Sequence, residues 1–353
     1  MCLRGCKGFG LFGVAVSALV LAQSNGGIPP GTTRYNLVIP PGFPAPKLPE
    51  DNQLTNEGVA LGMRLFNEKK LSGNGTQACS SCHHPSDSFS DEGNALSTGS
   101  TGIKGTRNAP ALFNLIYQRC YFWDGRSPSL REQALVPIQN PDEMNQTLGG
   151  AIANLKADPT YVAQFAKAFG SQGITANRIA MALEQYEISN INGNSKYDRV
   201  QQGLASFTKQ EQRGLTLFLT PYNPKKDQFG ADCARCHSGA TFSDFCFRNN
   251  GLDAHPSDPG REDVTGSADD YGKFKTPSLR NLTVSGPYMH DGRFSTLEEV
   301  VEHYSSGIVP SGTLDPMLAK EPDGVQLSAT DQAALVAFLK TLVEAKYVGS
   351  GSP

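Results

Sequence analysis

Two short runs constrain this chain more than any other feature: Cys79-Ser-Ser-Cys82-His83 and Cys233-Ala-Arg-Cys236-His237. Two thiols separated by two residues and followed directly by an imidazole form the attachment signal of c-type haem. The thiols add across the porphyrin vinyl groups, and the histidine reaches the iron as its proximal ligand. One such run arises by chance fairly often, but two in one chain are strong. A four-cysteine zinc site is a competing reading. It fares badly, because the pairs lie 154 residues apart (233 − 79) and each carries its own histidine. A thioredoxin-type redox pair needs a βαβ setting, and none surrounds either run. The chain therefore reads as a carrier of two covalent haems, attached at Cys79, Cys82, Cys233 and Cys236, with His83 and His237 on the irons. A domain whose core is a haem has little regular sheet. The expected fold is mainly α: two cytochrome c-type haem domains related by a pseudo-twofold, with long loops.

Length and charge agree with two domains. The chain has 353 residues, against a prior of roughly 150 per domain. Its 31 Lys+Arg and 34 Asp+Glu give a net charge of −3 with no basic block, which argues against a nucleic-acid surface. The 37 Gly and 23 Pro place many residues in turns. At the N-terminus, Arg4 and Lys7 precede a mostly apolar run, Phe9–Ala22, ending in Val20-Leu21-Ala22. This reads as a secretory signal cut after Ala22, too short for a comfortable transmembrane helix. An uncleaved anchor is the competing reading. No cysteine follows the cut, which argues against a lipoprotein. The expected mature chain has 331 residues (353 − 22) and lies in a periplasm, with no membrane span after cleavage. The expected limits are 1–22 for the signal, 23–50 for an extended Pro/Gly-rich arm, 51–200 and 201–346 for the two haem domains, and 347–353 for a tail. Cys120 and Cys246 could pair in an oxidising compartment or stay as free thiols, and the sequence leaves both open.

The chain also repeats itself, which assigns roles. Leu61-Gly-Met-Arg-Leu65-Phe66 precedes the first haem run, and Arg213-Gly-Leu-Thr-Leu217-Phe218 precedes the second. Pro110-Ala-Leu-Phe-Asn114 matches Pro277-Ser-Leu-Arg-Asn281, Asp124-Gly-Arg126 matches Asp291-Gly-Arg293, and Ser129-x-x-Glu132 matches Thr296-x-x-Glu299. The offset is a constant 167 (277 − 110, 291 − 124, 299 − 132). Both S/T-x-x-E matches read as capping boxes that start equivalent helices. Adding 167 to Pro137 gives Tyr304. If that place faces the iron, Tyr304 supplies an oxygen ligand and Pro137 supplies nothing. The first haem is then open and the second closed, and an open haem does chemistry while a closed one transfers electrons. A packed aromatic is the bland reading of Tyr304, and Met289 and Met317 are nearby alternative ligands. Along the rest of the chain, helical periodicity runs through 145–186. Residues 249–275 read as a Gly/Asp-rich loop, and residues 330–342 as an amphipathic terminal helix.

These residues resemble the bacterial dihaem cytochrome c peroxidases, and within them the MauG-like branch, over about residues 50–345. The markers are Leu71-Ser-Gly-Asn-Gly75, Arg107-Asn-Ala-Pro110, Phe122-Trp-Asp-Gly-Arg126, Glu132-Gln-Ala134, Pro141-Asp-Glu-Met144, Phe274-Lys-Thr-Pro-Ser-Leu-Arg-Asn281 and Pro287-Tyr-Met-His-Asp-Gly292. The resemblance implies Glu143 as the distal acid, able to take and return a proton as peroxide is cleaved. It implies Gln133 as the distal glutamine, Pro137 as the distal proline and Trp123 as an electron relay between the haems. Tyr304 falls on the second-haem ligand, where peroxidases proper usually carry Met. His290 reads as a residue that orients structure. Many relatives close the first haem with a distal His after the first run. Residues 85–110 contain none, and His84 adjoins the proximal ligand. The first haem is therefore expected to be open without reductive activation. The resemblance also implies one calcium ion between the domains, bound by the Asn108 side chain and the Ser285 and Pro287 carbonyls.

The expected function is reduction of hydrogen peroxide, with electrons from a small c-type cytochrome or a copper protein. The alternatives are MauG-like oxidation of Trp or Tyr on a partner protein through a high-valent dihaem state, and a dihaem electron carrier. Homodimers are usual in the family.

Overall fold

The computed structural model describes residues 19–20, 27–321 and 323–348. The expected signal segment, Cys2, Cys6 and most of the expected tail lie outside them. The exception is the backbone of Leu19–Val20 (β1), which pairs antiparallel with Val38–Ile39 (β2). The first half carries helices α1 (Asn56–Phe66), α2 (Leu130–Gln139), α3 (Leu148–Lys156), α4 (Pro159–Phe169) and α5 (Ala176–Ser189). Then follow α6 (Lys196–Gln201), α7 (Lys209–Leu219), α8 (Glu262–Thr265), α9 (Leu297–Ser306) and α10 (Ala329–Lys340). Two further ladders join Tyr222–Asn223 (β3) to Gln228–Phe229 (β4) and Phe247–Arg248 (β5) to Phe274–Lys275 (β6). The fold is mainly α with long loops and little sheet, as the haem runs require. Among the described residues, no helix is long and apolar enough to cross a membrane.

Each half is built on one close helix pair, α1 against α5 and α7 against α10. A Cβ at Gly62 would lie 2.0 Å from the Ala182 carbonyl oxygen, and one at Gly214 would lie 1.9 Å from that of Ala334. Backbone meets backbone there, so only glycine fits. These are the glycines of the repeated Leu61-Gly62 and Arg213-Gly214 pairs. Around the first helix pair pack Leu61, Leu65, Phe66, Ile179 and Leu183, with Cys79 against them. Around the second pack Phe218, Phe242, Leu335, Phe338 and Leu339, with Cys233 against them. The cysteine pairs thus belong to separate cores and do not converge on one four-thiol site.

The periodic stretch 145–186 divides into three helices for local reasons. Asp158 caps α4, accepting from Thr160 N, with Pro159 in the first turn, where its missing N–H costs nothing. Gly170 ends α4 in the left-handed conformation. The Pro/Gly-rich arm is extended, but it does more than cross the surface. Leu37 and Ile39 are buried in the first core while Val38 is exposed, the alternation of a strand. One expectation needs correction. Thr296 heads a complete capping box on α9, accepting from Glu299 N while Glu299 accepts from Thr296 N. Ser129 caps α2 in one direction only, accepting from Glu132 N. The Glu132 carboxylate makes no return bond, so that terminus holds a simple N-cap.

A buried ion pair holds the α6 segment on the second half. Arg280 donates from Nη1 and Nη2 to the two Asp198 oxygens, both at 2.8 Å, and from Nε to the Ala240 carbonyl at 2.7 Å. Both side chains are almost fully buried, at 2% and 6% exposure. Burial alone would raise the Asp198 carboxyl, but the Arg280 bonds and charge outweigh it and hold it below the ordinary carboxylate range. The Arg280→Ala variant is expected to lose about 3–5 kcal/mol in denaturant unfolding, because it strands a buried carboxylate. The contribution of Asp198 is present above the ordinary carboxylate pKa. It is lost as pH falls through the depressed folded value, so the gap between wild type and variant should close in acid.

Candidate functional site

One cavity of about 890 Å³ runs through both halves and takes in both haem runs. Cys79, Cys82 and His83 line one end and Cys233, Cys236 and His237 the other. Each run sits on a single 3-10 turn, Cys79–Ser81 or Cys233–Arg235, which brings both thiols and the histidine to the cavity. The imidazoles are set alike. His83 Nδ1–H donates to the Phe89 carbonyl at 2.9 Å, and His237 Nδ1–H donates to that of Phe242 at 3.1 Å. That fixes the tautomer and leaves Nε2 as a lone-pair donor. Burial holds both rings neutral, pulling His83 down and His237 to about 4. Burial likewise pushes the Cys79 and Cys233 thiols up to about 12 and Cys236 to about 11. These are not reactive redox thiolates. Cys120 is a free thiol, so it does not pair with Cys246.

On the first half, α2 presents Gln133 and Pro137 to the cavity, one turn apart. Pro137 stands inside the helix, where it lacks the N–H that would bond the Gln133 carbonyl. Such a proline in a helix interior costs about 3 kcal/mol. Glu143 follows on the turn after α2. Asn140 Nδ2 donates to Glu143 Oε1 at 2.7 Å. Burial raises the Glu143 carboxyl above its ordinary range, with the Asn140 bond and the Arg126 charge partly offsetting it. The loop after the first run closes over this turn. Ser100 N donates to the Glu143 carbonyl at 2.7 Å, and a Cβ at Gly99 would lie 1.9 Å from the Asp142 carbonyl oxygen. His84 is turned back on its own loop, Nε2–H donating to the Ser81 carbonyl at 3.0 Å.

On the second half, Tyr304 of α9 lines the cavity, half-buried. Asn250 Nδ2 donates to its hydroxyl oxygen at 3.2 Å and lies 3.4 Å from Met289 Sδ. Burial pushes the Tyr304 phenol up to about 12, so only a strong cation beside it would ionise it. Met289 and Met317 also line the cavity. The His290 ring stacks on Phe274, 3.7 Å between centroids, and its carbonyl accepts from Asn108 N.

The seam between the halves is polar and buried. Trp123 Nε1–H donates to the Asn108 carbonyl at 2.9 Å, and the Trp123 carbonyl accepts from Lys275 N at 2.7 Å. Lys275 Nζ crosses to Gln118 Oε1 and the Cys120 carbonyl. Burial lowers that ammonium to about 8. Arg107 joins Asp258 of the second half to Asp124 of the first. Asn108, Ser285 and Pro287 all line the cavity here. The Asn108 amide nitrogen donates to the Asn94 and Ala95 carbonyls.

Residues 56–206 match the family described as Di-haem cytochrome c peroxidase. The chain is 38% identical to the methylamine utilization protein MauG of Methylorubrum extorquens, over 83% of this chain and 80% of that protein. It belongs to this family. It is also 33% identical to the cytochrome c551 peroxidase of Nitrosomonas europaea, over 80% of this chain and 78% of that one. The crystal structure of a MauG-like protein associated with microbial copper homeostasis superposes with a TM-score of 0.80 at 35% identity, covering 90% of this chain and 97% of that chain. Family membership makes the chain an oxidoreductase acting on peroxide and implies two haem groups. The cavity fits them: two neutral imidazoles with free Nε2 atoms, each beside two neutral thiols, in a wall built from both cores.

The sequence pointed to most of this wall through the repeat and the motifs. It missed Asn140 and Asn250, which hold Glu143 and Tyr304. Asn140 carried a local signal, since Asn-Pro-Asp starts a turn. Asn250 carried none, because its partners lie 39 and 54 residues away.

Proposed function

We propose that this protein reduces hydrogen peroxide at the His83 end of the cavity, with electrons that enter at the His237 end. The carrying observation is the difference between two equivalent helix positions. Pro137 leaves its end of the cavity without a ligand, and Tyr304 offers one at the other. In this reading, Cys79 and Cys82 hold one haem covalently and Cys233 and Cys236 the other. When bound, the haems supply the redox equivalents and the binding place for peroxide. Glu143 takes a proton from the peroxide oxygen that binds and returns it to the oxygen that leaves. One peroxide, two electrons and two protons give two waters. Asn140 holds the carboxyl in place, Gln133 and Pro137 shape the pocket, and Trp123 relays electrons. The donor is a small c-type cytochrome or a copper protein of the periplasm, reached through a cleaved signal. Calcium at Asn108, Ser285 and Pro287 ties the seam, in keeping with an all-oxygen donor set.

The test is peroxide turnover by the protein as purified and fully oxidised, with reduced cytochrome c as donor. Immediate turnover is expected, together with one equivalent of cyanide bound per chain. Turnover only after pre-reduction would mean a hidden ligand on the first iron, and no cyanide binding would mean an electron carrier. A second reading is favoured by Tyr304 together with the loop 85–110, which contains no histidine. In it, the oxidised two-haem protein withdraws electrons from Trp or Tyr of a partner protein. Peroxide that is consumed slowly, leaving a long-lived oxidised spectrum, would select it.

A further inference from the structure

The helix repeat extends beyond the stretch matched in the sequence. Gly62 meets the Ala182 carbonyl and Tyr186 Cβ, and Gly214 meets the Ala334 carbonyl and Phe338 Cβ in the same way. Positions of α5 and α10 therefore correspond at an offset of 152 (334 − 182, 338 − 186). At that offset Leu183 corresponds to Leu335, and Glu187 to Leu339. All four line the cavity. The second half presents two leucines, as a wall against an apolar group should. The first replaces one of them with a carboxylic acid.

Glu187 is 6% exposed, and its Oε2 is buried with no hydrogen-bond partner. A buried polar atom left without a partner calls for an explanation, and here the explanation must lie in what the cavity holds. The ionisable groups around it do not pair with it. Glu184, on its own helix, is taken up by Arg131 and Asn52. Tyr121 turns its hydroxyl to the Leu115 carbonyl, and Cys79 and Tyr186 are held neutral by burial. Burial, with Glu184 adding to it, pushes the Glu187 carboxyl up to about 8.

We propose that Glu187 is the proton-holding residue of the first haem site: its carboxyl stays neutral while the site is reduced and gives up its proton when the site loses an electron. The inference rests on reading this cavity as the seat of two haems. Peroxide takes two electrons and two protons to give two waters; as the site loses one of those electrons, the Glu187 O–H bond breaks and its proton passes to water. The carboxylate remains to balance the new positive charge. The returning electron is accompanied by a proton that restores the acid. Leu339 can do none of this, so at this repeated helix position only the first half carries a proton.

The experiment is spectroelectrochemical titration of the full holoprotein from about pH 5 to about pH 9. It compares wild type with Glu187→Gln, which keeps the shape, and Glu187→Leu, which copies Leu339. In wild type, the reduction equilibrium of the first site should shift towards tenfold per pH unit, or 59 mV for a one-electron couple. The slope should flatten in both variants, and the second site should behave identically in all three. A first-site slope that survives in Glu187→Gln, or a flat wild type, overturns the proposal. Absence of two haem redox waves overturns the two-haem reading, and this inference with it.

Discussion

The Glu143→Gln variant should lose about 10²–10⁴-fold in kcat/KM for peroxide, the contribution of a positioned acid–base group. Glutamine fills the same space and can still accept from Asn140, so the visible spectrum and cyanide affinity should hold. What it lacks is the proton. The pH profile provides a second readout. Burial raises the Glu143 carboxyl above its ordinary range, and the residue must be ionised to accept a proton. Wild-type turnover should therefore fall as pH drops through that raised value, and the same limb should be missing from what activity the variant retains. Stopped-flow kinetics from mildly acidic to neutral pH would show both. Full turnover in the variant would assign the proton to another group.

Tyr304→Phe should have the second large effect, visible without turnover. The hydroxyl held by Asn250 is the only atom the substitution removes. With it gone, the second iron should gain a free position, and cyanide bound per chain should rise from one equivalent to two. The second-site potential should rise as well, because an anionic oxygen ligand favours the ferric state. Cyanide stoichiometry that stays at one would pass the ligand role to Met289 or Met317. Met289 lies against the same Asn250 amide, so the variant also shows whether that sulfur can step in.

How much was legible in advance followed from the range of each interaction. The two Cys-x-x-Cys-His runs are local, five residues each, and the structure brings both to the one cavity. The Pro137–Tyr304 contrast was legible because the chain states each helix twice, and the difference stands out against the repeat. Corresponding reasoning erred at Ser129, where the capping pattern is present but Glu132 turns away. A motif supplies the atoms of a cap without fixing the rotamer that closes it. The burial of Leu37 and Ile39 was hidden because Pro and Gly around them signal a loop, while their alternation spans only three residues. The partners of Trp123, Lys275 and Arg280 are set by topology, across separations that no pattern in one sequence records.

The buried seam bears on time as well as on place. Trp123 is pinned through its indole to one half and through its carbonyl to the other, and Lys275 and Arg107 cross beside it. Loosening the halves would take both partners from the buried Lys275 ammonium and Asp258 from the Arg107 guanidinium. In the proposed reading, the electron route past Trp123 is therefore laid down once, at folding, and is not remade at each turnover. Internal electron flow then has no hinge to wait for. The expected pace of the cycle falls instead to events at the two outer ends, the meeting with a donor and the arrival of peroxide.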